Sequence, residues 1–197
     1  MLKILGVIAG AAILILIAAW LKLRGPDIPY STLEAKYAGA ASHFVDLSGG
    51  YHVHYRDEGD PSLPLLVLLH GFGDSFTTWE GWVRELKPKF HVICLDFPGH
   101  GLTRAPDGYV LTTDGLVQAV EDLAVGAKLG HFALAGNSLG GGVAWSYALK
   151  YPPRLTALIL VDAAGWPRKS SGSVPLAFMA LRSSRVLIRC ASPATWT

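Results

Sequence analysis

Gly136-Asn137-Ser138-Leu139-Gly140 stands between a short apolar run, Phe132 to Ala135, and a helical pattern, Leu139 to Lys150. A strand that passes into a helix through G-x-S-x-G reads as a nucleophile elbow. The turn is tight enough that the residues two before and two after the serine must lack bulk. The start of the following helix favours negative charge on the serine oxygen. Gly141 and Gly142 then allow the helix to lie close to the sheet. Two other readings compete: a glycine-rich turn without chemistry, and a phosphate loop. The phosphate loop fails on detail, since there is no G-x-G-x-x-G. Gly136 and Gly141 have the first Walker spacing but lead into Gly142-Val143 rather than Lys-Ser/Thr.

Outward from the elbow the same alternation repeats. Pro64 to Leu69, His91 to Leu95 and Leu158 to Val161 are unbroken apolar runs of the kind expected of strands buried on both faces. Helical patterns lie between them at Thr78 to Leu86 and at Thr113 to Leu129, the latter with Leu116, Val117, Val120, Leu123 and Ala124 on one stripe. His43 to Leu47 and Tyr51 to Arg56, joined by Ser48-Gly49-Gly50, predict an opening hairpin. The fold class expected is α/β, a mostly parallel sheet with flanking helices and its sites at the carboxyl ends of the strands. Two further motifs stand at such ends. His70-Gly71-Phe72-Gly73 follows Leu69, where a glycine-rich loop can turn the Phe72 N–H toward a carbonyl under attack, with the Leu139 N–H as second oxyanion donor. His70 precedes that loop and reads as a structural hydrogen-bonding residue. Asp96-Phe97-Pro98-Gly99-His100-Gly101 follows Leu95; alone it is a turn signal, and beside the other two an ordered landmark.

These three motifs, in this order, resemble the α/β-hydrolase fold superfamily over roughly Phe44 to Gly165. GNSLGG around Ser138 with HGFG before it looks most like serine esterases and the carbon–carbon bond hydrolases of aromatic-ring breakdown. Epoxide hydrolases and haloalkane dehalogenases share the outline but place an aspartate where this chain has Ser138. The resemblance implies a hydrolase with Ser138 as nucleophile, the Phe72 and Leu139 N–H groups as oxyanion hole, and no metal or organic cofactor; the location beside a membrane expected from Ile4 to Leu21 is what suits a small apolar ester or ketone as substrate.

A serine needs a base, and the base an orienting acid. In this fold the chain order is serine, acid, histidine. After Ser138 there is one acidic residue, Asp162, and all seven histidines precede the serine. Asp162 ends the Leu158 to Val161 strand and is a candidate acid, though aspartate there is also a common turn residue. The resemblance implies a helical cap and two further strands that deliver acid and histidine. Pro175 to Leu181 resembles the first cap helix, and Arg182 to Thr197 reads as an irregular basic tail. A carboxyl-terminally truncated hydrolase is therefore expected, with no catalytic histidine and an unpaired edge on its last strand. The alternative from another class is a non-catalytic, membrane-tethered binding protein on a degenerate hydrolase scaffold.

Ile4 to Leu21 contains no charged or polar side chain. As a helix it would reach about 27 Å, close to the roughly 30 Å hydrocarbon core of a bilayer. A spanning anchor is expected rather than a cleaved signal peptide, because Leu16 and Ile17 are bulky where a cleavage site wants small residues. Lys3 and the terminal amine nearly balance Lys22 and Arg24, so the side of the membrane holding the body stays open. The organisation expected is anchor over 1–24, linker over 25–40, partial hydrolase domain over 41–167, and the start of a cap with a basic tail over 168–197. All fifteen acidic residues fall within 25–162. No basic stripe interleaved with aromatics runs along the body, which argues against nucleic acid as a partner. Cys94 and Cys190 match neither zinc nor disulfide spacing, and Cys94 is expected in a core strand. Oligomeric state is not legible.

Overall fold

The computed structural model describes residues 2–25, 27–165 and 186–189, as two units that divide between Tyr37 and Ala38. In the first unit α1 (Leu2–Leu23) ends where the Arg24 N–H bonds the Trp20 carbonyl at 2.8 Å, with the Arg24 guanidinium 5.1 Å from the Trp20 ring centre. Among the described residues no helix is long and apolar enough to cross a membrane, so the spanning reading of residues 4–21 has no support there. Within the stretch read as a linker lies a short α2 (Tyr30–Tyr37), which follows Pro29, whose carbonyl receives the Thr32 N–H.

In the second unit the hairpin β1 (Ser42–Leu47) and β2 (Tyr51–Glu58) is followed by β3 (Leu65–Leu69). A 3-10 turn, Phe76–Trp79, leads into α3 (Glu80–Leu86), and then come β4 (His91–Leu95), α4 (Thr113–Gly126), β5 (Phe132–Asn137), α5 (Leu139–Lys150), β6 (Leu155–Val161) and β7 (Val186–Arg189). The sheet order is β1-β2-β4-β3-β5-β6-β7. Here the expectation of a mostly parallel sheet needs correction. β4, β3, β5 and β6 are parallel, but the hairpin adds antiparallel strands at one edge and β7 adds another at the opposite edge, so the sheet is mixed. β7 also overturns the unpaired edge expected for β6, since Val161 pairs with Val186 and Leu158 with Arg189. The run Val186-Leu187-Ile188 is β-prone, and a chain that leaves and returns at the same end of β6 can only pair antiparallel. The stretch read as the first cap helix lies outside the described residues.

Strand side chains alternate between two cores, which is why the strand sequences are continuously apolar. Val67, Leu69, Ile93, Leu95 and Leu134 face the stripe of α4 and the buried side of α5, while Leu66, Leu68, Val92 and Cys94 face Phe76, Trp79 and Val83. Cys94 therefore sits in a core strand as expected, 3% exposed. Each such large side chain contributes about 1.5–3 kcal/mol by leaving water.

Candidate active site

The carboxyl ends of the parallel strands stand level, with Leu69 paired to Leu95 on one side and to Gly136 on the other, and Asn137 paired to Val161. β3 is also where chain order reverses, for the next strand lies on one of its sides and the one after on the other. Such a switch point opens a crevice between the loops that leave β3 and β5. The glycine-rich loop and the elbow meet at it.

After β5 the chain turns through Ser138, at φ 51° and ψ −112°, directly into α5. A non-glycine residue in a sparsely populated region costs about 1–3 kcal/mol and persists only when its surroundings brace it. The braces are backbone hydrogen bonds. The Ser138 N–H donates to the Val161 carbonyl at 3.0 Å, and the Ser138 carbonyl accepts from the N–H groups of Gly142 at 3.0 Å and Ala164 at 2.8 Å. Close approach needs the flanking glycines: a Cβ at Gly140 would collide with the carbonyls of Leu69 and His70, and one at Gly141 would lie 2.6 Å from the Ala163 methyl. Serine is a favoured helix cap, yet the exposed Ser138 side chain makes no capping bond. Among the described residues its hydroxyl has no hydrogen-bond partner at the start of α5.

The loop after β3 reaches this hydroxyl. A Cβ at Gly71 would lie 3.6 Å from the Ser138 Cβ. His70, fully buried, spans two loops: its Nδ1–H donates to the Gly71 carbonyl at 2.7 Å and its Nε2 accepts the Phe97 N–H at 3.0 Å. Those two bonds fix the neutral tautomer, and burial holds the His70 pKa below its ordinary value. The structural role expected for His70 is what the geometry displays. Because a trans peptide points its C=O and N–H in opposite directions, a Gly71 carbonyl held by the His70 ring turns the Phe72 N–H the other way. Among the described residues neither the Phe72 N–H nor the Leu139 N–H has a hydrogen-bond partner. The Phe72 side chain is 72% exposed and its ring meets His100 edge-on at 5.7 Å.

Asp96, at the end of β4, holds the loops rather than the reaction. Its buried carboxylate accepts from the Phe76 N–H at 2.7 Å, the Leu102 N–H at 3.0 Å and His54 Nδ1 at 2.8 Å, while its carbonyl accepts from the Thr103 hydroxyl at 2.7 Å. Gly101, at φ 52°, leaves the space the carboxylate fills. Neither His54 nor Thr103 stands out in the sequence. His54 reads only as one position of an alternating strand, and its partner lies 42 residues away.

Asp162 lies beyond β6 at φ 45°, exposed, in the left-handed conformation that aspartate tolerates in turns. Among the described residues no histidine hydrogen-bonds to it or to Ser138. His54 and His70 use both ring nitrogens, His52 pairs with Asp46 and His91 with Asp57. A cleft of about 580 Å³ lined by Tyr55, His91 and His131 lies at the amino ends of the strands, away from Ser138, and takes no part in this site.

The family model described as alpha/beta hydrolase fold matches residues 64–182. Human epoxide hydrolase 4 is 34% identical over 116 residues, covering 57% of this chain and 32% of its own length. Monoacylglycerol lipase abhd6-B of Xenopus laevis is 34% identical over 121 residues, with 59% and 36% covered. Among solved structures, a bacterial membrane phospholipase A superposes with a TM-score of 0.64 at 28% identity, covering 86% of this chain and 55% of that one. A hydrolase from Pseudomonas aeruginosa gives 0.61 at 30% identity, with 67% and 49% covered. The chain thus spans about a third of the length of these curated relatives. With the family match extending over more than half of its residues, and the level strand ends and strained turn on which such enzymes are built, this chain belongs to the alpha/beta hydrolase fold family.

Proposed function

We propose that this protein is a serine hydrolase acting on an apolar ester or similar carbonyl compound, with Ser138 as nucleophile and the N–H groups of Phe72 and Leu139 as oxyanion donors. The observation that carries the reading is Ser138 itself: a strained residue at a helix start whose exposed hydroxyl does not cap that helix, beside two N–H groups without partners among the described residues. A binding scaffold has no use for such a turn, which weighs against the non-catalytic alternative.

In this reading the Ser138 oxygen attacks the carbonyl carbon while the two N–H groups receive the developing oxyanion, each such donor being worth about 10²–10³ in rate. The proton must leave to a base, and no histidine among the described residues is in place to take it. Similarity to a human epoxide hydrolase does not bring epoxide chemistry with it. Opening an epoxide through a covalent intermediate suits a carboxylate nucleophile, and a serine at this position suits carbonyl attack. Similarity to a monoacylglycerol lipase and a membrane phospholipase A, both named for lipid esters, supports an apolar ester.

Incubation with a p-nitrophenyl ester followed by intact-mass and peptide analysis should reveal an acyl adduct on Ser138. An adduct formed only from an epoxide, and on a carboxylate, would overturn the assignment.

We also infer a membrane tether at residues 4–21. Supporting it are the apolar run and the exposure of Ile13, Leu14, Ile15, Leu16, Trp20 and Leu23 on α1. Phospholipid vesicles should carry the full chain in flotation. Equal flotation of a Leu14→Asp, Leu16→Asp variant would contradict the tether.

A further inference from the structure

We propose that Trp145 is a positioning residue for Ser138, acting through Ala164. It rests on the reading of Ser138 as nucleophile and adds to it what sets the serine's backbone. Trp145 lies two turns along α5 from Ser138, half-buried, with its ring packed against the core that α5 shares with the sheet. Its indole Nε1–H donates to the Ala164 carbonyl at 3.0 Å. The N–H of Ala164 in turn donates to the Ser138 carbonyl at 2.8 Å. The two bonds on Ala164 form a relay from the body of α5, across the loop that leaves β6, back to the elbow.

Three features show that the contact is built in. A Cβ at Gly141 or Gly142 would press on Ala163 or Ala164, so glycines at these positions let the loop reach the elbow. Gly165, at φ 74°, turns the chain directly over the indole, where an added Cβ would lie 3.5 Å from the ring. The Ser138 N–H is tied to the same loop through the Val161 carbonyl at 3.0 Å. Both polar backbone groups of the strained serine are therefore held by residues 161–164, and the only side chain that fixes the far end of that loop by a hydrogen bond, among the described residues, is Trp145. α5 thus braces its own first turn: it supplies the Gly142 N–H directly and the Ala164 N–H by way of the indole.

Trp145→Phe removes the N–H and keeps most of the ring. Amide hydrogen exchange on the full chain should show the Trp145 indole and Ala164 N–H groups protected in the unmodified protein. In the Phe variant the Ala164 amide should exchange about fivefold faster, the size of one lost hydrogen bond, with Val67 in the central strand unchanged. Fluorophosphonate labelling of Ser138 should lose about the same factor in its limiting rate with half-saturation unaltered, while the melting temperature falls by only the few degrees that one hydrogen bond accounts for. An indole N–H exchanging as fast as free tryptophan, or equal Ala164 exchange in the two proteins, would overturn the proposal. If the unmodified chain takes no label, the hydrolase reading falls and the exchange arm still decides the role of Trp145. Should the Phe variant fail to fold, protection of the indole and of Ala164 in the unmodified chain decides alone.

Discussion

Gly136 lies so close to the Gly140 carbonyl that a methyl group on it could not be accommodated without moving backbone. The strand that delivers Ser138 and the helix that receives it touch at that point. Gly136→Ala is expected to cost about 1–3 kcal/mol, the range for forced overpacking. Gly130→Ala, at a position with open space around it, should stay within about 0.5 kcal/mol. Urea unfolding midpoints of the two variants check this, and equal midpoints would show that the elbow is less tight than its backbone contacts imply.

The buried neutral His70 makes stability depend on pH. Burial lowers its folded pKa below the ordinary 6.5, so the unfolded chain binds the proton more readily. Its contribution is then present above about pH 6.5 and lost as pH falls toward the folded value. Urea midpoints measured from pH 7.5 to 5 should fall less steeply in His70→Ala than in the unmodified protein. A steeper fall in the variant would reverse the sign.

Removing the Asp96 carboxylate leaves the Phe76 and Leu102 N–H groups and the His54 ring without their acceptor in a site closed to water. Asp96→Ala should cost about 3–5 kcal/mol, as for breaking a buried pair from one side. A loss below about 1 kcal/mol in thermal unfolding would show that the loops after β3 and β4 do not depend on it.

Cys94 faces the core under Phe76 and Trp79, and burial pushes its thiol up to about 12. At pH 8 the native protein should leave Cys94 unalkylated by iodoacetamide, with reaction on addition of denaturant, each read by peptide mapping. Rapid native alkylation at Cys94 would place the β4 face in contact with solvent.

The elbow is legible in the sequence because its residues are contiguous and its geometry demands small side chains at fixed offsets. The same holds for the strands, whose apolar runs report burial on both faces. What the sequence hides is non-local. His54 and Asp96 are joined only by the pairing of β2 with β4, and Trp145 meets Ala164 only because two glycines in α5 let a loop approach. β7 is hidden for a different reason: a four-residue strand inside a basic, serine-rich stretch carries too little periodicity to separate from its neighbours. The antiparallel edge it adds to the sheet is hidden with it.

Whether Ser138 is the nucleophile is decided by the rate of fluorophosphonate labelling of the full chain as a function of pH, with the adduct located by peptide mapping. With Ser138 as nucleophile and no histidine bonded to it among the described residues, a slow adduct confined to Ser138 is expected. Its rate should rise steadily through pH 9 without a plateau between pH 6 and 8, and the adduct should be lost in Ser138→Ala. No adduct even at pH 9, an adduct on another residue, or equal labelling of the Ser138→Ala variant would contradict it.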